Sequence, residues 1–342
     1  MAKRNVSIKD VAAKAKVHPS TVSRVLNPET RSMVSAVVAD RVSRIAAEMG
    51  YARSTLAYGL RTGRTHTVGV VIPDLTNPLF PPIIRQIERT LAEQGYLAIL
   101  ADSENNQDNE MAIVQSLKGR NVDGFILATA HRLDSVVNAC SEENIPLVLV
   151  NRTIDSHSVT AVINDDSHGI DLAVSHLVEL GHKSIAYLGG PQDTSTGHDR
   201  YLAFRKLKRA GKFQSHNDII LNCKAFTEAE GRRGFLSILK KRRKFTAVVA
   251  ANDLLALGCY DALHELGLSC PADISITGFN DMPFMNRLSP PLTSLRIPHA
   301  EIGRQAAKLL VERIKDPDCL VRTVNLLPEL VVRGSTAAPK TR

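Results

Sequence analysis

The sequence predicts a small N-terminal all-α helix-turn-helix headpiece followed by an α/β body of two doubly wound parallel-sheet lobes. Three observations carry this expectation. Apolar residues recur with helical spacing through the first fifty positions. From Thr67 onward, short β-branched runs alternate with amphipathic stretches, in two successive series. Charge divides the chain at the same place: residues 1–64 hold twelve basic and four acidic side chains, whereas the two signs balance over the remainder, so the net +8 lies in the front segment.

Within the headpiece, Ser7 and Asp10 form an N-cap pair before Ile8, Val11, Ala12 and Ala15, which predicts a helix from Ile8 to Ala15. After Lys16-Val17-His18, Pro19 opens a second helix whose apolar stripe is Val22, Val25 and Leu26. Its opposite face offers Ser20, Arg24 and Asn27, with Thr21 beside them. Ser35 N-caps a third helix that runs to Met49 and stops at Gly50, burying Val38, Val42, Ile45 and Met49. Such a cationic module fits a polyanion, and the absence of Trp disfavours stacking on single-stranded bases. A DNA duplex is the expected partner: Arg24 can bond guanine O6 and N7 from the major groove, and Ser20 and Thr21 can reach bases or phosphates. The other reading of the same spacing is a solvated face on a small helical domain.

Residues 50–63 read as a linker. Leu56 and Leu60 share one face if the segment is helical, Gly59 weakens that helix, and Arg53, Arg61 and Arg64 suit phosphates. The body then reads as TVGVVIP, a helix around 83–94, YLAILAD, a helix over 109–118, GFILATA, a helix near 133–143 and PLVLVN. The second series is a helix around 169–180, SIAYLGG, a helix near 201–210, DIILNC, a helix over 228–240, AVVAAND, a helix over 254–266 and ISITGFN. Ligands bind doubly wound sheets at the carboxyl ends of strands, which draws attention to Asp74, Asn77, Phe80, Thr129 and Asn151-Arg152. In the second series the corresponding residues are Asp165, Ser195, Arg200, Phe226, Asn252-Asp253 and Asn280-Asp281. Carboxylates, amides, a guanidinium and aromatic faces together suit a hydroxyl-rich molecule, although Asp and Asn after strands are often turn formers and caps.

The run SIKDVAAKAKVHPSTVSRVLN, then EMGY, then LRTGRTHTVGVVIPDLTNPLF resembles the lactose-repressor/galactose-repressor family of bacterial transcription regulators, over nearly the whole chain. The resemblance implies a periplasmic-binding-protein-like body and a sequence-specific DNA-binding repressor, homodimeric or larger, on a near-palindromic operator. A small-molecule effector, a sugar or sugar derivative, would control it. Positions matching Pro19, Ser20 and Arg24 would face bases, and those matching Ser7, His18, Thr21, Ser23 and Asn27 would lie near phosphates, with Ser35, Arg53 and Leu56 completing the DNA-binding set. Leu60 would wedge into the minor groove and kink the duplex. Asn77, Phe80, Arg200, Phe226, Asn252, Asp253 and Asn280 match effector-pocket positions, and Thr129 is added from its place after a strand. The implied domains are 1–49, 50–63, a first lobe of 64–162 with 292–323, and a second of 163–291 with 324–342. Three departures stand out: Lys16 where Gly or Asn is common, Val38-Ala39 where Thr-Arg is frequent, and Tyr58 in place of Arg.

Other chemistry is thin. The five cysteines form no C-x-x-C pair and His168, His176 and His182 lack metal-ligand spacing, so neither a metal nor another cofactor is expected. KKRRK at 240–244 reads as a solvated helix end. No apolar run approaches membrane-spanning length and no export signal is evident, which points to a cytoplasmic protein without membrane contact and disfavours a secreted solute-binding protein. An α/β enzyme with a basic appendage would require a nucleophile–base set, and none is recognisable.

Overall fold

The computed structural model describes residues 6–27, 30–51, 64–214, 216–241 and 244–340. It divides into two compact units, Met1–Thr65 and His66–Arg342. The expectations for Arg53, Leu56 and Leu60, and linker residues 52–63, lie outside the described residues.

In the first unit, α1 spans Ile8–Ala15, α2 Pro19–Val25 and α3 Ala36–Glu48. The start of α1 is set by a capping box, in which the Ser7 hydroxyl accepts from the Asp10 N–H and the Asp10 carboxylate accepts from the Ser7 N–H. Val11, Ala12, Ala15, Val22, Val25, Ala39, Val42, Ile45 and Ala46 close a core between the three helices. Val38 and Met49 are only half-buried; Ala39 and Ala46 take the inner positions, because small side chains let α3 approach α1 closely. Lys16 ends α1 in the left-handed region (φ 51°, ψ 50°), where an L-residue with a Cβ is strained. Lys16→Gly is expected to stabilise this unit by about 1 kcal/mol in thermal unfolding, and an unchanged or lower melting temperature would contradict that account.

The second unit contains two six-stranded sheets. In the first, β1 (Thr67–Ile72), β2 (Leu97–Asp102), β3 (Gly124–Leu127), β4 (Leu147–Val150), β5 (Ala161–Asn164) and β11 (Thr323–Leu326) lie in the order β2-β1-β3-β4-β5-β11, all parallel. The second sheet is β7-β6-β8-β9-β10-β12, from β6 (Ile185–Gly189), β7 (Ile220–Asn222), β8 (Ala247–Ala250), β9 (Ser275–Asn280), β10 (Thr293–Arg296) and β12 (Glu329–Val331). Only its edge strand β12 is antiparallel. Both sheets therefore repeat one doubly wound order, with a reversal beside the first strand of each lobe. Successive residues of β1 feed opposite faces: Val68, Val70 and Ile72 join one apolar cluster and Val71 another, as expected when helices cover a parallel sheet on both sides.

The connecting helices are α4 (Phe80–Glu93), α5 (Gln107–Gly119), α6 (Ser135–Glu142), α7 (Asp166–Glu179), α8 (Ser195–Arg209), α9 (Glu228–Lys240), α10 (Asp253–Glu265) and α11 (His299–Lys315). The chain passes between the sheets after β5, after β10 and between β11 and β12. Each passage comes a little later than positions 162, 291 and 323, because strand pairing holds β5 through Asn164, keeps β10 beside β9, and carries β11 through Leu326 beside β5. No described helix is long and apolar enough to cross a membrane.

Candidate functional site

In the first unit the exposed face of α2 carries Ser20 and Arg24. His18 caps this helix: its Nδ1 accepts the Ser20 N–H at 3.2 Å and lies 2.8 Å from the Ser20 hydroxyl. That leaves the exposed imidazole and hydroxyl side by side at the amino end, where the helix dipole favours an anion. Pro19, Thr21 and Ser23 are half-buried beside them, and Ser7 and Ser35 are exposed at the starts of α1 and α3. Asn27 departs from the expected open face. It is only 8% exposed, and its backbone carbonyl accepts from the Thr30 and Arg31 N–H groups. Helical periodicity does not register such a turn beyond the helix end.

In the second unit a cavity of about 190 Å³ lies at the carboxyl ends of both sheets. The first lobe lines it with Asp74, Asn77, Phe80, Asn105, His131, Asn151 and Arg152, and the second with Asp193, Thr194, Thr196, Arg200, Lys224, Phe226, Thr227, Asn252 and Asn280. Six of the expected effector residues thus meet in one place: Asn77, Phe80, Arg200, Phe226, Asn252 and Asn280. Thr129 and Asp253 do not line it. The Thr129 hydroxyl donates to Glu110, and its carbonyl accepts from Arg152 Nη1 at 3.3 Å, which puts Thr129 behind Arg152. Asp253 is fully buried, accepting from the Met282 N–H at 2.8 Å and from the Ser294 hydroxyl, so it ties the β9 and β10 ends together. Burial raises its carboxyl to about 7.

Arg200 reaches the cavity because α8 begins earlier than its apolar pattern indicates. Thr194 caps that helix by accepting the Gly197 N–H at 3.2 Å, which places Arg200 inside the second turn. Its Nε donates to Asp166 at 2.9 Å, Nη1 donates to the Ala251 carbonyl at 2.6 Å, and the guanidinium lies 3.7 Å from the centroid of the Phe279 ring. A plane fixed on three sides presents its remaining nitrogen in a set direction. Asn151 and Asn280 occupy equivalent places, at the ends of β4 and β9, the fourth strands of their lobes. Both have positive φ (65° and 109°), and both keep a buried Oδ1 with no protein partner. Strained backbone and unmet acceptors beside a cavity are features of a binding site. Asn77 and Asn252 are partly committed to local turns, accepting from the Leu79 and Leu255 N–H groups.

Sequence reading passed over His131, Asp193, Lys224 and Asn105, which lie on loops without a periodic signal, and Thr194 and Thr196, the N-cap and first turn of α8, which precede its apolar pattern. Asn151 and Arg152 carried only the signal of following a strand. Of the remaining strand-end residues, Asp165 caps α7 through the His168 N–H, Ser195 accepts the Thr153 N–H, and Asp281 pairs with Arg296 and Arg333.

Behind Arg152, Glu110 is 1% exposed and burial raises its carboxyl to about 7. A carboxyl raised in the folded state stabilises the fold fully only below its ordinary value, and that contribution is lost as pH rises through about 7. Glu110→Gln keeps the acceptor for Thr129 and removes the charge. Urea unfolding is therefore expected to show the variant about 2 kcal/mol more stable than the parent at pH 8 and nearly equal at pH 4.5. Equal gains at both pH values would refute the assignment.

A basic helix-turn-helix unit ahead of a two-lobed α/β body with a polar cleft defines a ligand-responsive transcription regulator. Residues 7–54 match the bacterial regulatory proteins of the lacI family, and residues 174–336 match the periplasmic binding protein-like domain. The chain is 32% identical to the HTH-type transcriptional repressor CytR of Escherichia coli K12, over 97% of its own length and 96% of that protein's. It is 30% identical to the HTH-type transcriptional repressor PurR of Aliivibrio fischeri MJ11, over 96% and 98% of the two lengths. The lac repressor dimer bound to operator and an anti-inducer superposes with a TM-score of 0.86 at 27% identity, covering 98% of this chain and all of that one. The chain belongs to the lacI family of bacterial regulatory proteins. Both of these relatives are transcriptional repressors.

Proposed function

We propose that the chain is a cytoplasmic repressor, a homodimer or larger, that grips a near-palindromic operator and is controlled by a sugar or sugar derivative in the cleft. Its working parts are a reading headpiece over 1–49, a linker over 50–63 and the two lobes. Ser7, His18, Pro19, Ser20, Thr21, Ser23, Arg24 and Ser35 form the DNA-facing set. Asn77, Phe80, Arg200, Phe226, Asn252 and Asn280, joined by Asn151, form the effector-facing set.

The observation that carries the effector assignment is the cavity's lining: amide and carboxylate acceptors, a fixed guanidinium donor and two aromatic rings, Phe80 and Phe226. Each sugar hydroxyl can donate to one group and accept from another. At about 190 Å³ the cavity is smaller than those that hold drug-sized molecules, which favours a monosaccharide-sized occupant. The structure of a LacI family transcriptional regulator from Enterococcus faecium, 32% identical over 80% of this chain with a TM-score of 0.69, holds bound ribose, in keeping with that size. Effector and operator affinities are coupled reciprocally: an effector that weakens operator binding is itself held less tightly on operator.

The test is selection of bound duplexes from random double-stranded DNA at physiological ionic strength, followed by titration of the selected complex with sugars, ribose first. A preferred, near-palindromic site whose occupancy changes with a sugar is the expected result. No preferred duplex would sink the DNA assignment. Response only to a molecule without hydroxyl groups would sink the sugar assignment.

A further inference from the structure

The two lobes are held together at one rim of the cleft by bonds that the chain crossings do not require. On the first lobe, the loops after β3 and β4 bring up His131, Arg132 and Thr153. On the second, the loop after β6 brings up Gln192 and Asp193, and the first residue of α8 is Ser195. The Arg132 N–H donates to the Asp193 carbonyl at 2.8 Å, Arg132 Nη1 to the Gln192 carbonyl at 3.4 Å, and the Thr153 N–H to the Ser195 hydroxyl at 3.0 Å. His131 Nδ1 lies 3.4 Å from Asp193 Oδ2.

Both sides of this contact are braced from within their own lobe. The Asp155 carboxylate grips Arg132 with a two-pronged fork, Nε and Nη2 each at 2.9 Å, and the Asp155 N–H donates back to the Arg132 carbonyl. Nη1 is thereby aimed across the gap. Opposite it, the Gln192 amide donates to the Gly190 and Gly197 carbonyls, and the Thr194 hydroxyl donates to the Pro191 carbonyl. A Cβ on Gly197 would stand 1.8 Å from the Pro191 oxygen, so that loop has no room to relax.

The other rim is different. Asp74, Asn77 and Asn105 line it from the first lobe and Lys224, Phe226 and Thr227 from the second, and among the described residues no hydrogen bond or ion pair joins the two groups. It also lies toward β2 and β7, the sheet edges away from the strands after which the chain crosses.

We infer that Arg132 is a positioning residue: with Asp193 and Ser195 it forms a latch that sets the angle between the lobes before any effector arrives, leaving the Asp74–Lys224 rim as the way in. Closure is then partly prepaid, and the cleft wall formed by His131 and Asp193 keeps one geometry. The inference does not depend on what the cleft binds, because it is tested without ligand.

The experiment is hydrogen exchange on the full-length, unliganded chain, read at the Arg132 amide, whose acceptor is a backbone carbonyl across the gap. Two variants weaken the latch without touching that bond: Ser195→Ala removes an acceptor, and Asp155→Asn loosens the fork from an exposed position that folding tolerates. Each is expected to speed Arg132 exchange about tenfold while the β3 and β6 amides stay protected. Small-angle scattering is expected to show a larger maximum dimension for the pair of substitutions combined. Unchanged Arg132 exchange in Asp155→Asn overturns the latch. Equal loss of protection in the strands also overturns it, since the substitutions would then act on lobe stability alone.

Discussion

Arg200→Ala is expected to abolish the response to effector and to lower the unfolding free energy of the body by about 3 kcal/mol at neutral pH. The side chain is 2% exposed and is held by Asp166, the Ala251 carbonyl and the Phe279 ring. Removing it leaves the Asp166 carboxylate buried without its cation. Burial already outweighs the arginine and raises that carboxyl to about 6, so without Arg200 it climbs further and takes up a proton more readily. The loss should therefore shrink as pH falls toward 5, which urea unfolding at the two pH values measures. Arg200→Lys keeps a positive charge but not the flat fork, and should recover part of the stability without the effector response. An Arg200→Ala protein that still releases operator on effector addition would remove this residue from the cleft's chemistry.

Arg24→Ala should cost about 1–3 kcal/mol in operator affinity and erase the base preference at one position of each half-site. Arg24 is exposed on the same helix as Ser20, one turn beyond it in the last turn of α2, where a long guanidinium side chain can meet a base edge. A residue that touches only phosphate behaves differently: its loss weakens all sequences alike and flattens the dependence on salt. Parallel selections from random duplexes with parent and variant separate the two roles. If the consensus keeps its information content at every position, Arg24 reads no base.

The sequence disclosed most where local rules act alone. Ser7, Asp10 and the apolar spacing that follows them define α1, and Pro19 marks the start of α2, because caps and periodicity are decided within a few residues. The alternation of apolar runs likewise disclosed two parallel sheets. Less was visible where distant segments decide. Strand β11 is half open to solvent and has no long apolar run, and β10 takes its place in the second sheet by pairing with β9 and β12. Helix α11 has a clear apolar stripe at Ile302, Ala306, Leu309 and Leu310, yet its place on the first lobe depends on a chain crossing that no local pattern encodes. Among the cleft residues, Asn280 was accessible as a strand end, whereas Thr129 and Asp253 satisfied the same rule and turned out to support the wall from behind. Position after a strand indicates the neighbourhood but not the direction of the side chain.

Asn151 and Asn280 come from matching places in two sheets of the same order, each with an acceptor unmet. Under the proposed function, a guest that satisfied both amides would be weighed by the two halves together and would transmit torque between them. One that satisfied a single amide would occupy the chamber yet leave the halves uncoupled, a silent competitor. Discrimination between agonist and blocker would then reside in how many halves the guest engages, not in how tightly it is held.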